Sequence, residues 1–95
     1  MPDARWSILT STSAPGAVAI VQIEGDIDAA LDAMGLAPMR PGEMRLRSLA
    51  GVDEGLAVRW DERTLHLTPH GGPEVQRALG RALTARGIAV RGPGG

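Results

Sequence analysis

The segment Leu65-His66-Leu67-Thr68-Pro69-His70-Gly71-Gly72-Pro73 decides how the chain folds. The alternating Leu65 and Leu67 predict a strand, and a helical pattern begins directly after the His-Gly-Gly-Pro turn. Pro73 suits the first helical position, because its missing N–H would have no partner there. We expect the two glycines to leave the first-turn amides uncovered, and such amides at the positive helix end favour a bound anion.

On both sides of this segment, the apolar periodicity predicts an α+β fold with the element order β-β-α-β-β-β-α-β. The predicted strands are Trp6–Thr12, Ala17–Glu24, Glu43–Leu49, Gly55–Trp60, Arg63–Thr68 and Ile88–Val90. The predicted helices are Ile27–Met34, capped by Asp26 and ended by Gly35, and Pro73–Ala85, ended by Gly87. We expect a mixed β-sheet of five to six strands with both helices packed on one face.

The composition indicates one small domain. The 95 residues are 43% hydrophobic but only 2% aromatic, so aliphatic side chains and methionine must build the core. A chain of this size has a thin stability margin, and we therefore expect a homodimer. Residues 1–95 are predicted to form a single domain, ordered from about residue 6 to 91, with residues 92–95 as a flexible tail.

Charge and cysteine content exclude several classes of function. The formal net charge is −1, with 10 basic and 11 acidic residues, which disfavours direct nucleic-acid binding. The chain has no cysteine and therefore no disulfide, thiol nucleophile or thiolate metal site. The longest apolar run, Ala17–Val21, is too short to span a bilayer, and Met1–Ser7 is unlike a signal peptide. We expect a cytoplasmic protein that does not enter a membrane.

Three segments occur in order along the chain: Ala14-Pro15-Gly16 before the strand Val18–Gly25, the run Val52–Val58, and His70-Gly71-Gly72-Pro73. Together they resemble the N-terminal domain of the tRNA modification GTPase TrmE, also called MnmE, over about residues 6 to 91. The resemblance implies a dimerising domain that binds formyl-tetrahydrofolate near the dimer interface. In that family the folate is the one-carbon source for modifying the wobble uridine of certain tRNAs.

The chain also departs from this family. It has no lysine, so it contains no Gly-x-x-x-x-Gly-Lys-Ser/Thr phosphate loop, and we expect no GTP hydrolysis from it. Gln22 stands where the family has an arginine, Glu24 where it has a serine, and His66 where it has a strand glutamate. Pro69 replaces the glycine before the histidine. These changes remove polar groups that would hold a pterin.

The candidate ligand-binding residues are His70, Gly71, Gly72, Gln22 and Gly16. The backbone amides and the imidazole of His70 can clamp a carboxylate or phosphate. The alternative is that the glycines only permit a tight strand-to-helix turn. No catalytic residue and no metal site are predicted, because His66 and His70 lie on a strand and turn without a third ligand. The Asp53-Glu54 pair is interpreted as a solvated turn rather than an acid–base pair.

The predicted function is a stand-alone, non-catalytic TrmE N-domain-like module that dimerises and binds a small anionic ligand or a partner protein. The first alternative is a formyl-tetrahydrofolate-binding component of tRNA wobble-uridine modification, with a tetrahydrofolate derivative as cofactor. The second alternative is a ferredoxin-like regulatory or interaction domain, since residues 17–91 fit a βαββαβ order with an extra hairpin. The strand order in the sheet distinguishes the two folds.

Overall fold

The structure, a computed structural model, describes residues 2–9 and 20–91. In this part of the chain, six strands and two helices follow each other in the predicted order, and the fold is α+β. The strands are β1 (Ala4–Ile8), β2 (Val21–Gly25), β3 (Met44–Leu49), β4 (Asp53–Asp61), β5 (Thr64–Pro69) and β6 (Ala89–Val90). The helices are α1 (Ile27–Ala33) and α2 (Pro73–Ala85).

The limits of some elements differ from the predicted ones. Strand β4 begins at Asp53, earlier than predicted, so the Asp53-Glu54 pair belongs to a strand and not to a turn. The turn of the following hairpin falls at residues 62–63, one position later than predicted. The predicted strand end at Thr12, the strand start at Ala17, the candidate residue Gly16 and the tail at residues 92–95 lie outside the described residues.

The strands form one mixed sheet in the order β3-β4-β5-β2-β1-β6. Neighbouring strands are antiparallel except β1 and β6, which pair in parallel with Arg5 opposite Ala89 and Trp6 opposite Val90. In a ferredoxin-like βαββαβ sheet, the first and last strands of that order are neighbours. Here β1 lies between β2 and β6, so the strand order differs from the ferredoxin-like arrangement.

Both helices cover the same face of the sheet, because buried residues alternate with exposed ones along the central strands. Val21 lies opposite Leu67 and Ile23 opposite Leu65, and all four side chains are fully buried. The helix residues buried in the same core are Ile27, Ala30 and Leu31 of α1 and Leu79 and Leu83 of α2. In the described part of the chain, no helix covers the opposite face of the sheet.

The helix ends follow the predicted signals. The carboxylate of Asp26 caps α1 by accepting a hydrogen bond from the Ala29 amide at 3.1 Å. Gly35 and Gly87 follow the last turns of the two helices with φ angles of 73° and 91°, which favour glycine. Neither helix of the described part is long and apolar enough to cross a membrane.

Candidate functional site

The candidate site is the helix-free face of the sheet, which we call the open face. Its side chains alternate with the buried ones along each strand. One row of it runs straight across the sheet, because each strand pairing places the next residue opposite the last. In that row the residues are Met44, Val58, His66, Gln22 and Ser7. The open face therefore combines apolar residues from β3 and β4 with polar residues from β5, β2 and β1.

The apolar half of the open face is an exposed cluster that we call the apolar patch: Met44, Leu46, Leu56, Val58 and Trp60. Met44 and Trp60 are each 61% exposed, Leu46 57% and Leu56 39%. Such fractions leave about 450 Å² of apolar surface in water, within the roughly 300–600 Å² of the largest patch on a typical monomer. The largest apolar patch of a monomer is often functional, so the apolar patch is a candidate interaction surface.

The polar half is a continuous chain of hydrogen bonds. The Trp60 indole Nε1 donates to His66 Nδ1 at 2.6 Å, and His66 Nε2 lies 2.9 Å from Gln22 Oε1. The Gln22 amide nitrogen donates to Glu24 Oε1 at 2.7 Å. Arg91 Nη1 donates to the same Glu24 oxygen at 2.7 Å. The chain links the apolar patch on β4 to the residue that follows β6.

The direction of this hydrogen-bond chain is determined by Trp60. An indole N–H only donates, so His66 Nδ1 must present its lone pair, and the proton of the neutral ring lies on Nε2. His66 Nε2 therefore donates to Gln22 Oε1. Burial lowers the pKa of His66 and so favours this neutral form. The rings of Trp60 and His66 also meet edge to face, with their centroids 5.6 Å apart.

The predicted anion-binding segment is a helix entrance, and the chain itself supplies a carboxylate there. The amides of His70 and Gly71 donate to Asp53 Oδ2 at 2.9 and 3.0 Å. These hydrogen bonds hold the pKa of Asp53 below its usual value, and the bond from the Gly71 amide has the largest effect. Gly72 is the N-cap of α2 and has no side-chain cap. An external anion at the two amides would have to displace Asp53.

The predicted site residues do not all come together. Gln22 lies opposite His66, whereas His70 is four residues farther along, about 13 Å at the rise of a strand. A Cβ on Gly71 would collide with the side chain of Val75, so a close approach requires glycine there, as in the tight-turn alternative. The structure therefore brings Gln22 to the open face and places His70 and Gly71 at the edge of the helix entrance.

Three residues that organise these regions are not among the predicted site residues: Trp60, Asp53 and Arg59. Arg59 is buried, and its guanidinium bonds the Asp28 carboxylate and the carbonyl oxygens of Met39, Asp61 and Glu62. The sequence signal for the burial of Arg59 is the alternation along β4, which turns this residue toward the helices. Among the described residues, no three His, Cys, Asp or Glu side chains gather into a metal site.

Comparisons of the chain with protein families, curated proteins and solved structures give no match. The open face and the helix entrance are therefore interpreted from their own geometry. Of the two, only the open face exposes a broad apolar surface, while the helix entrance has an internal carboxylate on its amides.

Proposed function

We propose that the chain is a non-catalytic module that pairs with a second copy of itself through the open face. This is the kind of role that the resemblance to the TrmE N-terminal domain implies. The observation that carries the proposal is the apolar patch, in which Met44, Leu46 and Trp60 are each more than half exposed. Removing these side chains from water is the driving force for association.

The size of the patch fits a small dimer. If two copies pair face to face, the two patches bury about 900 Å² of apolar surface, and neighbouring polar residues bring the total near the lower limit of about 1,200 Å² for stable interfaces. Thr64, Thr68 and Gln22 supply this polar margin on β5 and β2. The area therefore reaches the lower end of the range for stable interfaces without any contribution from the helices.

The charge distribution favours a second copy as the partner. A two-fold contact brings each residue close to its own counterpart near the axis, so a charge there would face a like charge. The apolar patch contains no charged residue, and His66 beside it is held in its neutral form. The charged residues Arg5, Glu24 and Glu54 lie at the margins of the open face.

Two further observations support a non-catalytic relative of the TrmE domain. Gln22 and His66, which stand where that family has an arginine and a glutamate, lie opposite each other and hydrogen-bond. A neutral, hydrogen-bonded pair thus occupies these two positions, and neither residue leaves an unpaired charge. The second observation is that Asp53 accepts hydrogen bonds from the amides of His70 and Gly71. Because a bound folate would have to displace this carboxylate, the contact favours the non-catalytic module over the folate-binding alternative.

The test is the oligomeric state of the wild type and two matched variants. We expect the wild-type chain to sediment at twice its 9.9 kDa mass at high micromolar concentration. Leu46→Asp places a charge in the patch and should give a folded monomer, as judged by circular dichroism. Val90→Asp makes the same change at a side chain that is 50% exposed but paired with Trp6 on the helix side, and it should remain dimeric.

A monomeric wild-type chain at about 1 mM, a concentration that would detect even weak association, would overturn the proposal. A Leu46→Asp variant that remains dimeric would show that association uses another surface.

A further inference from the structure

We propose that the open face carries an acid-operated switch, in which a proton on His66 breaks its bond with the Trp60 indole and opposes self-association. The effect on self-association rests on the proposed pairing of two copies. The loss of the hydrogen bond between Trp60 and His66 concerns a single chain and holds whether or not the copies pair. The switch consists of two neighbouring residues, one titratable and the other a member of the apolar patch.

The geometry of the bond makes it incompatible with a protonated ring. Trp60 Nε1 lies 2.6 Å from His66 Nδ1, and the indole nitrogen has no lone pair to offer. In an imidazolium both nitrogens carry hydrogen, so two N–H groups would point at each other. Turning the His66 ring over exchanges the positions of its nitrogens with carbons and supplies no acceptor. The indole must therefore leave.

Among the described residues, no carboxylate beside His66 is free of other partners to compensate for a positive charge. The side chains nearest to it on the open face are Val58 and Trp60 of β4, Gln22 and Glu24 of β2, and Thr64 and Thr68 of β5. Glu24 is the one carboxylate among them, and it is already engaged by Gln22 and Arg91. Arg5 of β1 lies opposite Glu24 and adds positive charge.

The neutral form of His66 is therefore favoured, and the sign of the pH effect follows. Burial lowers the pKa of His66 from 6.5. Above pH 6.5 the ring is therefore in its neutral form, and this form is lost as the pH falls through the lowered pKa. Protonation then frees the Trp60 indole from its fixed position in the patch. In a two-fold dimer it also places one positive charge from each copy in the same contact region.

The first experiment follows the two indole N–H resonances by NMR between pH 7.5 and 5 in the monomeric Leu46→Asp variant. We expect the Trp60 resonance to move with the same midpoint as the His66 ring, below pH 6.5. The Trp6 indole donates to Thr84 Oγ1 at 3.1 Å, a group that does not titrate, so its resonance should stay in place as an internal control. A Trp60 resonance that does not move while His66 titrates would overturn the switch.

The second experiment measures self-association by sedimentation at pH 7.5 and 5.5. We expect the dissociation constant of the wild-type dimer to be higher at pH 5.5 than at pH 7.5, because protonation of His66 opposes association. His66→Gln keeps an acceptor for Trp60 and a donor for Gln22 but cannot titrate, and its constant should not change. His70→Gln alters the other histidine, four residues farther along the chain at the entrance of α2, and should retain the wild-type pH dependence.

The two experiments separate the failure of the switch from the failure of the proposed function. A wild-type dimer with an unchanged dissociation constant, together with a titrating Trp60 indole, would overturn the effect on association only. A chain that is monomeric at both pH values would overturn the proposed pairing, while the indole titration would still decide the switch within one chain.

Discussion

The indole of Trp6 lies directly against the backbone of Gly80, so that a Cβ added to Gly80 would be 2.6 Å from Trp6 Cη2. The indole Nε1 also donates a hydrogen bond to Thr84 Oγ1, one helical turn farther along α2. Glycine inside a helix costs about 1 kcal/mol relative to alanine. That cost is offset here by the close packing of α2 against β1.

We expect Gly80→Ala to lower the free energy of unfolding by about 1 kcal/mol. The methyl group displaces the indole, and this loss of packing, about 1–3 kcal/mol, exceeds the gain in helix propensity. The measurement is urea unfolding. In a Trp6→Leu background the obstacle is gone, and the same substitution should stabilise the chain. A stabilising Gly80→Ala in the wild type would contradict the close packing.

Asp53→Asn should weaken the connection between β4 and the entrance of α2. A neutral acceptor bonds the amides of His70 and Gly71 less strongly than a carboxylate does. The pKa of Asp53 lies below its usual 3.8, so the wild-type contribution to stability is complete above that pH and is lost as the pH falls through the lowered value. The variant should therefore melt at a lower temperature than the wild type at pH 7.

The pH dependence supplies the control for Asp53. At a pH low enough to protonate the Asp53 carboxylate, below its lowered pKa, the difference in melting temperature between Asp53→Asn and the wild type should disappear. Glu54→Gln makes the same change of charge at the neighbouring exposed residue and should have little effect at either pH. An equal loss of stability in both variants would show that net charge, and not the hydrogen bonds, is responsible.

Arg59→Met should destabilise the fold by about 2–4 kcal/mol, because it leaves the carbonyl oxygens of Met39, Asp61 and Glu62 without their donor. By contrast, Asp28→Asn should cost less than about 1 kcal/mol, since the Asp28 side chain is mostly exposed and such ion pairs contribute little. Both values come from chemical denaturation. Equal losses would mean that the ion pair carries the stability.

The two glycines before α2 should respond in opposite directions. Gly72 has a φ of −80° and open space at its Cβ position, so Gly72→Ser adds an N-cap and should raise the free energy of unfolding by about 0.5 kcal/mol. Gly71→Ala brings a methyl group into Val75 and should lower it by about 1–3 kcal/mol. Thermal unfolding distinguishes the two. A tolerated Gly71→Ala would show that the turn is not sterically constrained.

The elements were predictable because their signals are local. The alternation of Leu65 and Leu67 and the glycine after each helix need only neighbours in the sequence, and both features are confirmed. The cap by Asp26 is also a three-residue relationship. The α+β class and the placement of both helices on one face follow from these patterns.

The contacts that organise the candidate site were not predictable, because they join separate strands. The bond from Trp60 to His66 depends on an irregularity in the β4–β5 pairing between Arg59 and Asp61, which alternation does not reveal. Asp53 meets the amide of His70, 17 residues later in the chain, because the β4–β5 hairpin brings its two ends together. Periodicity shows which residues share a face of β3, but the neighbouring strand decides that Leu49 is buried and Met44 exposed.

The position of β1 between β2 and β6 has a consequence for synthesis on the ribosome. Arg5 acquires its partner Ala89 only when all of the chain between the two residues has emerged. Contacts between such distant positions slow folding. One flank of β1 therefore remains unpaired throughout translation of the intervening elements, and the β1–β6 edge is the last part of the described sheet to form.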